Sequence, residues 1–226
     1  KSMLGCCSVK QVKGIFTSPI KSMALDSVQT VYVSGRGIEQ DRRFHIVDAQ
    51  HQLLTQRQVG PLVRIRVEYN LSPETLALQF PDGSRVDGPL ELGDPIVTRM
   101  WNRRVPGYIL GMRWNRHLSK FCGRPVSLVR TENPFQSYDK YPISLISQAS
   151  LDELNRRQTG QVTADSRRFR PNIVLNGCEP HEEDSWVGSS IQVGKQLILK
   201  IMSLDPRCAI TTHDPDTGER DLDTLR

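Results

Sequence analysis

Apolar and polar residues alternate in short runs through the first hundred positions. Val63, Ile65 and Val67 alternate with Arg64, Arg66 and Glu68, the period of two that marks a strand with one buried face. Val12, Ile15 and Phe16 form an apolar segment running into Ser18-Pro19, and Val28, Val31 and Val33 a β-branched one that ends at Gly35-Arg36-Gly37. Phe44, Ile46 and Val47 lead into a polar Asp48-Ala49-Gln50 turn and return through Leu53 and Leu54, which predicts a hairpin. Ser72-Pro73-Glu74 and Pro81-Asp82-Gly83-Ser84 have the residue order of turns, with proline presetting φ and Asx or Gly following it. Many short strands at this spacing predict a mostly β fold, a barrel or a sandwich.

Helical patterns are fewer. Residues 108–121 can carry one helix, stopped by Gly123 and Pro125. Residues 147–157 make a second, with Leu145, Leu151 and Leu154 on one stripe and Ser150-Leu151-Asp152-Glu153 in the order of a capping box. Strands are predicted again at 172–175 and 196–202. The polar stretch 131–140 has the composition of a linker and divides the chain into units 8–130 and 131–226.

The chain has 226 residues, 37% of them hydrophobic, and a net charge of +5, enough for one large domain or two modest ones with a sizeable buried core. Its arginines are spread along the sequence, unlike the dense basic footprint of a general nucleic-acid binder, and suit a pocket for a small anion. No apolar run of about 18 residues is present, so no membrane span is expected. Residues 1–7, which begin with Lys and are too short for a secretory signal, are set aside as a processed or cloned end. The five cysteines, Cys6, Cys7, Cys122, Cys178 and Cys208, show no disulfide framework. A reducing compartment, the cytoplasm, is the expectation.

The segment richest in chemistry is Pro206-Arg207-Cys208-Ala209-Ile210-Thr211-Thr212-His213-Asp214-Pro215-Asp216-Thr217-Gly218. It follows the apolar strand pattern, which places Cys208 just past a strand end. Arg207 beside it favours the thiolate, the form that ligates metal. A lone cysteine can equally be a small buried apolar group, and Asp214, Pro215 and Gly218 suit a turn.

That segment resembles the hallmark of MOSC-domain proteins, the relatives of the molybdenum cofactor sulfurase C-terminal domain and of the mitochondrial amidoxime-reducing component. Further stretches resemble the family in the same order: Ser18-Pro19-Ile20-Lys21-Ser22, Gly37-Ile38 with Asp41-Arg42-Arg43-Phe44, Ser147-Gln148-Ala149-Ser150-Leu151, Phe169-Arg170-Pro171-Asn172-Ile173-Val174 and Glu183-Asp184-Ser185-Trp186. The resemblance implies a barrel-like MOSC fold with an N-terminal β-barrel region, and a cofactor site shared by both units. It also implies a pterin-bound molybdenum cofactor whose metal is ligated by Cys208, a soft donor suited to that centre. Lys21, Ser22, Arg43, Ser147, Ser150, Arg170, Asn172 and Arg207 match positions that hold the cofactor's phosphate and pterin.

The chemistry of these residue types agrees. Lys21, Arg43 and Arg170 offer cationic donors, and arginine grips phosphate with paired hydrogen bonds. Ser147 and Ser150 stand where a helix begins and exposed amides attract anions. Asn172 both donates and accepts. Each also has a plainer role: Lys21 as a surface turn residue, Ser150 as a helix cap, Arg43 and Arg170 as ion-pair partners.

The implied activity is oxygen-atom removal from amidoximes, N-hydroxylamines and N-hydroxylated bases, with electrons from a ferredoxin-, cytochrome- or flavoprotein-type donor. His213 and Asp214 are the nearby candidates for a proton donor. A [2Fe–2S] cluster, carried by a C-terminal ferredoxin domain in many bacterial relatives, would belong to a removed domain or a separate partner. Pro206 stands where the amidoxime-reducing proteins carry serine. The alternatives are a non-catalytic cofactor carrier or sulfur-transfer module, and a structural zinc site built from Cys178, His181, Cys208 and His213.

Overall fold

The computed structural model describes residues 9–158 and 162–224, so Cys6 and Cys7 lie outside the described residues. The chain opens with Gln11–Thr17 (β1), Asp26–Val28 (β2), Val33–Ser34 (β3), Gly37–Ile38 (β4), Phe44–Asp48 (β5) and Leu53–Leu54 (β6). Arg66–Leu71 (β7), Glu74–Gln79 (β8), Arg85–Pro89 (β9), Leu92–Met100 (β10), Arg103–Leu110 (β11) and Val126–Thr131 (β12) follow. Leu145–Ser147 (β13), Ile173–Asn176 (β14), Ser190–Val193 (β15) and Leu197–Lys200 (β16) complete the strands. Two α-helices, Met112–Cys122 (α1) and Gln148–Arg157 (α2), are interspersed. The mostly β fold read from the sequence is the fold observed.

A five-stranded sheet in the order β10-β11-β12-β5-β6 curls back on itself, because a parallel bridge between Gln52 and Arg99 ties its two edges. A three-stranded meander, β7-β8-β9, stands beside it. Phe44, Ile46, Leu62, Ile65, Leu76, Leu78 and Leu128 fill the space between, with Trp114 and Leu118 of α1. Removing such side chains from water at about 25 cal/mol per Å² is what holds this part together.

The site is positioned by a four-stranded sheet in the order β13-β14-β1-β2. Its first strand pairs antiparallel with β14, Ile15 opposite Ile173, and β13 joins β14 in parallel. The beginning of the chain and the region after residue 140 therefore share one sheet.

Several local expectations shift. Residues 108–110 belong to β11, where Tyr108 pairs with Arg130, and the helix starts only at Met112. It stops at Gly123, whose φ of +65° is the left-handed conformation a glycine accepts without cost. Residues 60–64 form a 3-10 turn with a proline in its first turn, so the alternating pattern becomes a strand only from Arg66. The cap of α2 is Ser147, whose hydroxyl accepts the Ser150 amide, and not Ser150. The last strand ends at Lys200, leaving an irregular run before Cys208. The polar stretch 131–140 does not stay in solvent throughout: Thr131 and Ser137 are fully buried.

Candidate functional site

Where β1 runs out, the backbone amide of Ser18 donates to Asp41 Oδ1 at 2.7 Å. Asp41 Oδ2 accepts from Asn172 Nδ2 at 3.1 Å and pairs with the guanidinium of Arg42. Arg42 in turn donates to the carbonyl of Arg170 at 3.0 Å, and Arg170 donates to Ser18 Oγ at 2.9 Å and the Met23 carbonyl at 2.7 Å. Lys21, buried beside them, reaches the Ser137 carbonyl at 3.2 Å and Asp139 Oδ1 at 2.8 Å. Asn172 closes the ring by accepting the Ser144 amide at 3.2 Å. Residues from four distant stretches of the chain meet here.

The electrostatics are unbalanced. Lys21, Arg42 and Arg170 are withdrawn from water, whereas Asp41 is the one carboxylate buried with them and Asp139 lies exposed at the rim. Burial, opposed by Asp139 and reinforced by Arg42 and Arg170, lowers the Lys21 pKa. Burial and the neighbouring Arg42 push Arg170 down to about 10. For Arg42 burial also opposes the charge, but Asp41 and Asp139 outweigh it and its pKa is raised. Two cations are thus held where their charge is disfavoured, which an anion would reverse.

The backbone is strained at the same place. Ser22 (φ +74°), Arg42 (+49°) and Arg170 (+52°) all adopt the left-handed conformation that side chains disfavour. Such residues persist only where the surroundings over-determine them, typically at functional sites.

The sequence-predicted residues divide. Lys21, Ser22, Arg170 and Asn172 gather at this junction, and Lys21 is no surface turn lysine. Arg43 turns elsewhere: its guanidinium donates to the Thr131 carbonyl and hydroxyl, both at 2.7 Å, and its pKa is lowered by burial and by Arg130. The arginine that joins the cluster is its neighbour Arg42. Sequence reasoning also missed Asp41, Ser18 and Asp139. The Asp41-Arg42-Arg43 run held the signal, but which arginine reaches the junction depends on the turn before β5.

Ser147 and Ser150 sit at the start of α2, their hydroxyls 2.8 Å apart. Ser147 pairs with Leu175, three residues along β14 from Asn172, or about 10 Å of strand. The buried carboxylate of Glu183 accepts the Ser147 amide at 2.9 Å, so a negative group already stands at this helix start. Arg207 is exposed and donates to the Thr224 carbonyl at 2.8 Å.

Cys208 is a half-buried free thiol at the start of the 3-10 turn Ala209–Thr212. Its segment is clamped on both sides. Lys140 donates to Ser203 Oγ at 2.9 Å, and Asp205 lies within electrostatic reach of Arg42 and Asp139. Downstream, buried Arg168 pairs with Asp221 at 2.6 Å. Gly60 and Gly218 press together so tightly that a Cβ on Gly60 would come within 2.1 Å of the Gly218 carbonyl oxygen. Asp214 closes a turn, its Oδ1 accepting the amides of Asp216 and Thr217, and His213 Nε2 accepts from Arg220 at 3.1 Å. The His213 Nδ1 atom is buried without a hydrogen-bond partner. Among the described residues no three His, Cys, Asp or Glu side chains come together to hold a metal ion, so the zinc alternative lacks its ligand set.

Comparison with known proteins gives this site a context. The family described as the MOSC N-terminal beta barrel domain matches residues 9–125, and the MOSC domain matches residues 132–226. The chain is 41% identical, over 96% of its length and 72% of the relative's, to "Mitochondrial amidoxime reducing component 2" of Homo sapiens. It is 31% identical to the Rattus norvegicus protein of the same name, again over 96% of this chain and 72% of that one. "Molybdenum cofactor sulfurase" of Bos taurus is 25% identical over 95% of the chain, which spans 28% of that longer protein. No helix among the described residues is long and apolar enough to cross a membrane. On these matches the chain belongs to the MOSC family.

Proposed function

We propose that this protein is a molybdenum cofactor-dependent reductase of N-hydroxylated compounds: amidoximes, N-hydroxylamines and N-hydroxylated bases. The observation that carries the proposal is the junction of Lys21, Arg42 and Arg170 around one buried carboxylate, with two of the three cations destabilised by burial. That donor set fits an anionic, phosphate-bearing group, which would restore the missing negative charge. The relatives' printed names, amidoxime reducing component and molybdenum cofactor sulfurase, support the same class of cofactor.

Lys21, Arg42 and Arg170 would hold the anionic part of the cofactor, and Asn172 an edge that both accepts and donates. Ser22 would offer its hydroxyl beside Lys21. Ser147 and Ser150 would meet a different part of the same ligand, away from the phosphate, since Glu183 repels an anion there. Cys208 would supply the thiolate ligand to the metal, a soft donor for a sulfur-rich centre. The bound cofactor supplies the two-electron redox chemistry that removes the N–OH oxygen as water. An amidoxime, two electrons and two protons then give an amidine and water.

The electrons would come from a [2Fe–2S] ferredoxin, as a further domain or a separate protein, or from a cytochrome or flavoprotein donor. A reducing compartment keeps Cys208 a thiol; the relatives' names are mitochondrial, and the cytoplasm serves the thiol equally well. The two units are proposed to meet near residue 130, with the site between them.

The test is elemental and pterin analysis of the chain made in a cofactor-competent host, followed by dithionite-driven turnover of benzamidoxime. Molybdenum near one per chain with amidine formation is expected. Zinc without molybdenum overturns the proposal, and molybdenum without turnover leaves a carrier.

A further inference from the structure

The turn between β10 and β11 puts one large aromatic residue beside the cationic junction. Trp101 donates its indole N–H to Asp139 Oδ1 at 2.9 Å, the same oxygen that takes Lys21 Nζ at 2.8 Å. One ring face is covered by Arg57, its guanidinium 4.8 Å from the ring centroid. Asp139 is held from behind: Arg103 donates to the carbonyls of Tyr138 and Asp139 and stacks 4.5 Å over the Tyr138 ring. The indole is therefore fixed in position, yet it stays 48% exposed.

Fixing it has a cost. Trp101 takes φ +54°, which makes it the fourth non-glycine residue with a left-handed backbone at this place, after Ser22, Arg42 and Arg170. A bulky residue is strained in that conformation, and nothing in the barrel core uses its ring. A depression of about 440 Å³, lined by Val97, Arg99, Asn102, Arg103 and Arg104, flanks the same hairpin tip. A rigid, half-exposed indole tied to the residue that contacts Lys21 is suited to stacking a flat ligand.

We infer that Trp101 is a specificity-determining residue whose exposed indole face stacks planar aromatic N-hydroxylated substrates, favouring them over small aliphatic ones, on the side of the junction where Lys140, next to Asp139, holds Ser203 of the segment leading to Cys208. This rests on the reductase proposal above. Asp139 holds the ring in place and Arg57 backs it.

The experiment compares benzamidoxime with acetamidoxime in the molybdenum-loaded protein under dithionite. Trp101→Gly, which removes the ring and accepts the left-handed backbone, should lower the ratio of the two kcat/KM values about tenfold, the upper end of one aromatic contact. Trp101→Phe should keep the ratio within about twofold of wild type, because a ring remains without the indole N–H. A fluorescence titration adds a readout independent of turnover. Benzamidoxime should quench the wild type through its exposed indole, and Trp101→Phe should lose most of that response while buried Trp114 and half-buried Trp186 remain.

An unchanged ratio in Trp101→Gly, an equal drop in Trp101→Phe, or undiminished quenching in Trp101→Phe overturns the inference and leaves the reductase proposal standing. A wild type that reduces neither amidoxime overturns the reductase proposal and the inference with it.

Discussion

Leu78, fully buried beside the five-stranded sheet, and Arg170, buried where β14 meets the end of β1, fill the interior in opposite ways. Around Leu78 the neighbours are hydrocarbon and aromatic, and close packing supplies the stability. Around Arg170 they are Ser18, Asp41, Arg42 and Asn172, linked by directed hydrogen bonds and carrying more positive than negative charge. The first region is optimised for the folded chain alone. The second keeps strain and uncompensated charge that a bound anion would relieve, and this is how a site differs from a core. Substitutions should separate the two.

Asp41→Ala removes the one buried carboxylate of the junction and leaves Arg42 and the Ser18 amide without their partner; it should cost about 3–5 kcal/mol in urea unfolding. A loss below 1 kcal/mol would show that the junction does not depend on that carboxylate. Leu78→Ala should cost about 2–5 kcal/mol by leaving a cavity, with molybdenum content per folded chain unaltered.

His45 lies between the regions. It is fully buried, with Nε2 2.9 Å from Thr98 Oγ1 and Nδ1 unpartnered. Burial, and secondarily the charge of Lys21, push its pKa down to about 3. The unfolded chain therefore takes up the imidazole proton first as pH falls below about 6.5, while the folded chain stays neutral. Stability that is complete above that pH should decline by about 1.4 kcal/mol per pH unit until about pH 3. Urea midpoints measured at pH 7 and pH 5 check this, and His45→Met should flatten the slope.

Arg170→Met should cost about 1–3 kcal/mol, because the buried Met23 carbonyl and Ser18 hydroxyl lose their donor, and molybdenum should be lost on gel filtration from the chain that remains folded. Retention of the metal would remove Arg170 from the anion site. The smallest change in stability is expected for Cys208→Ser, within about 0.5 kcal/mol, combined with abolished amidoxime reduction. Activity surviving in that variant would end the assignment of Cys208 as the metal ligand.

How much of this was legible beforehand depended on range. The hairpin from Phe44 to Leu54, the turn at Pro81-Asp82-Gly83-Ser84 and the helix over Gln148–Arg157 are encoded within a few residues, through alternation, φ preference and capping. Lys21, Arg170 and Asn172 could be picked out as chemistry by their motifs. Arg42 could not be told from Arg43, because both follow Asp41 and only the fold sends one guanidinium to the Arg170 carbonyl and the other to Thr131. Likewise nothing near Ser147 announced that Glu183 would close over the start of α2.

Taken by itself, the sequence determined the strand-rich character of the chain, the places where it must turn, and the supply of cations, serines and a thiol that a phosphate-bearing metal cofactor would need. Tertiary structure decided which of them share one place. Arg170 meets Ser18 across 152 residues of chain and Asn172 meets Asp41 across 131. Local pattern carries no record of such distances, because pairing of buried charges is set by how sheets pack and by which groups lose their water together.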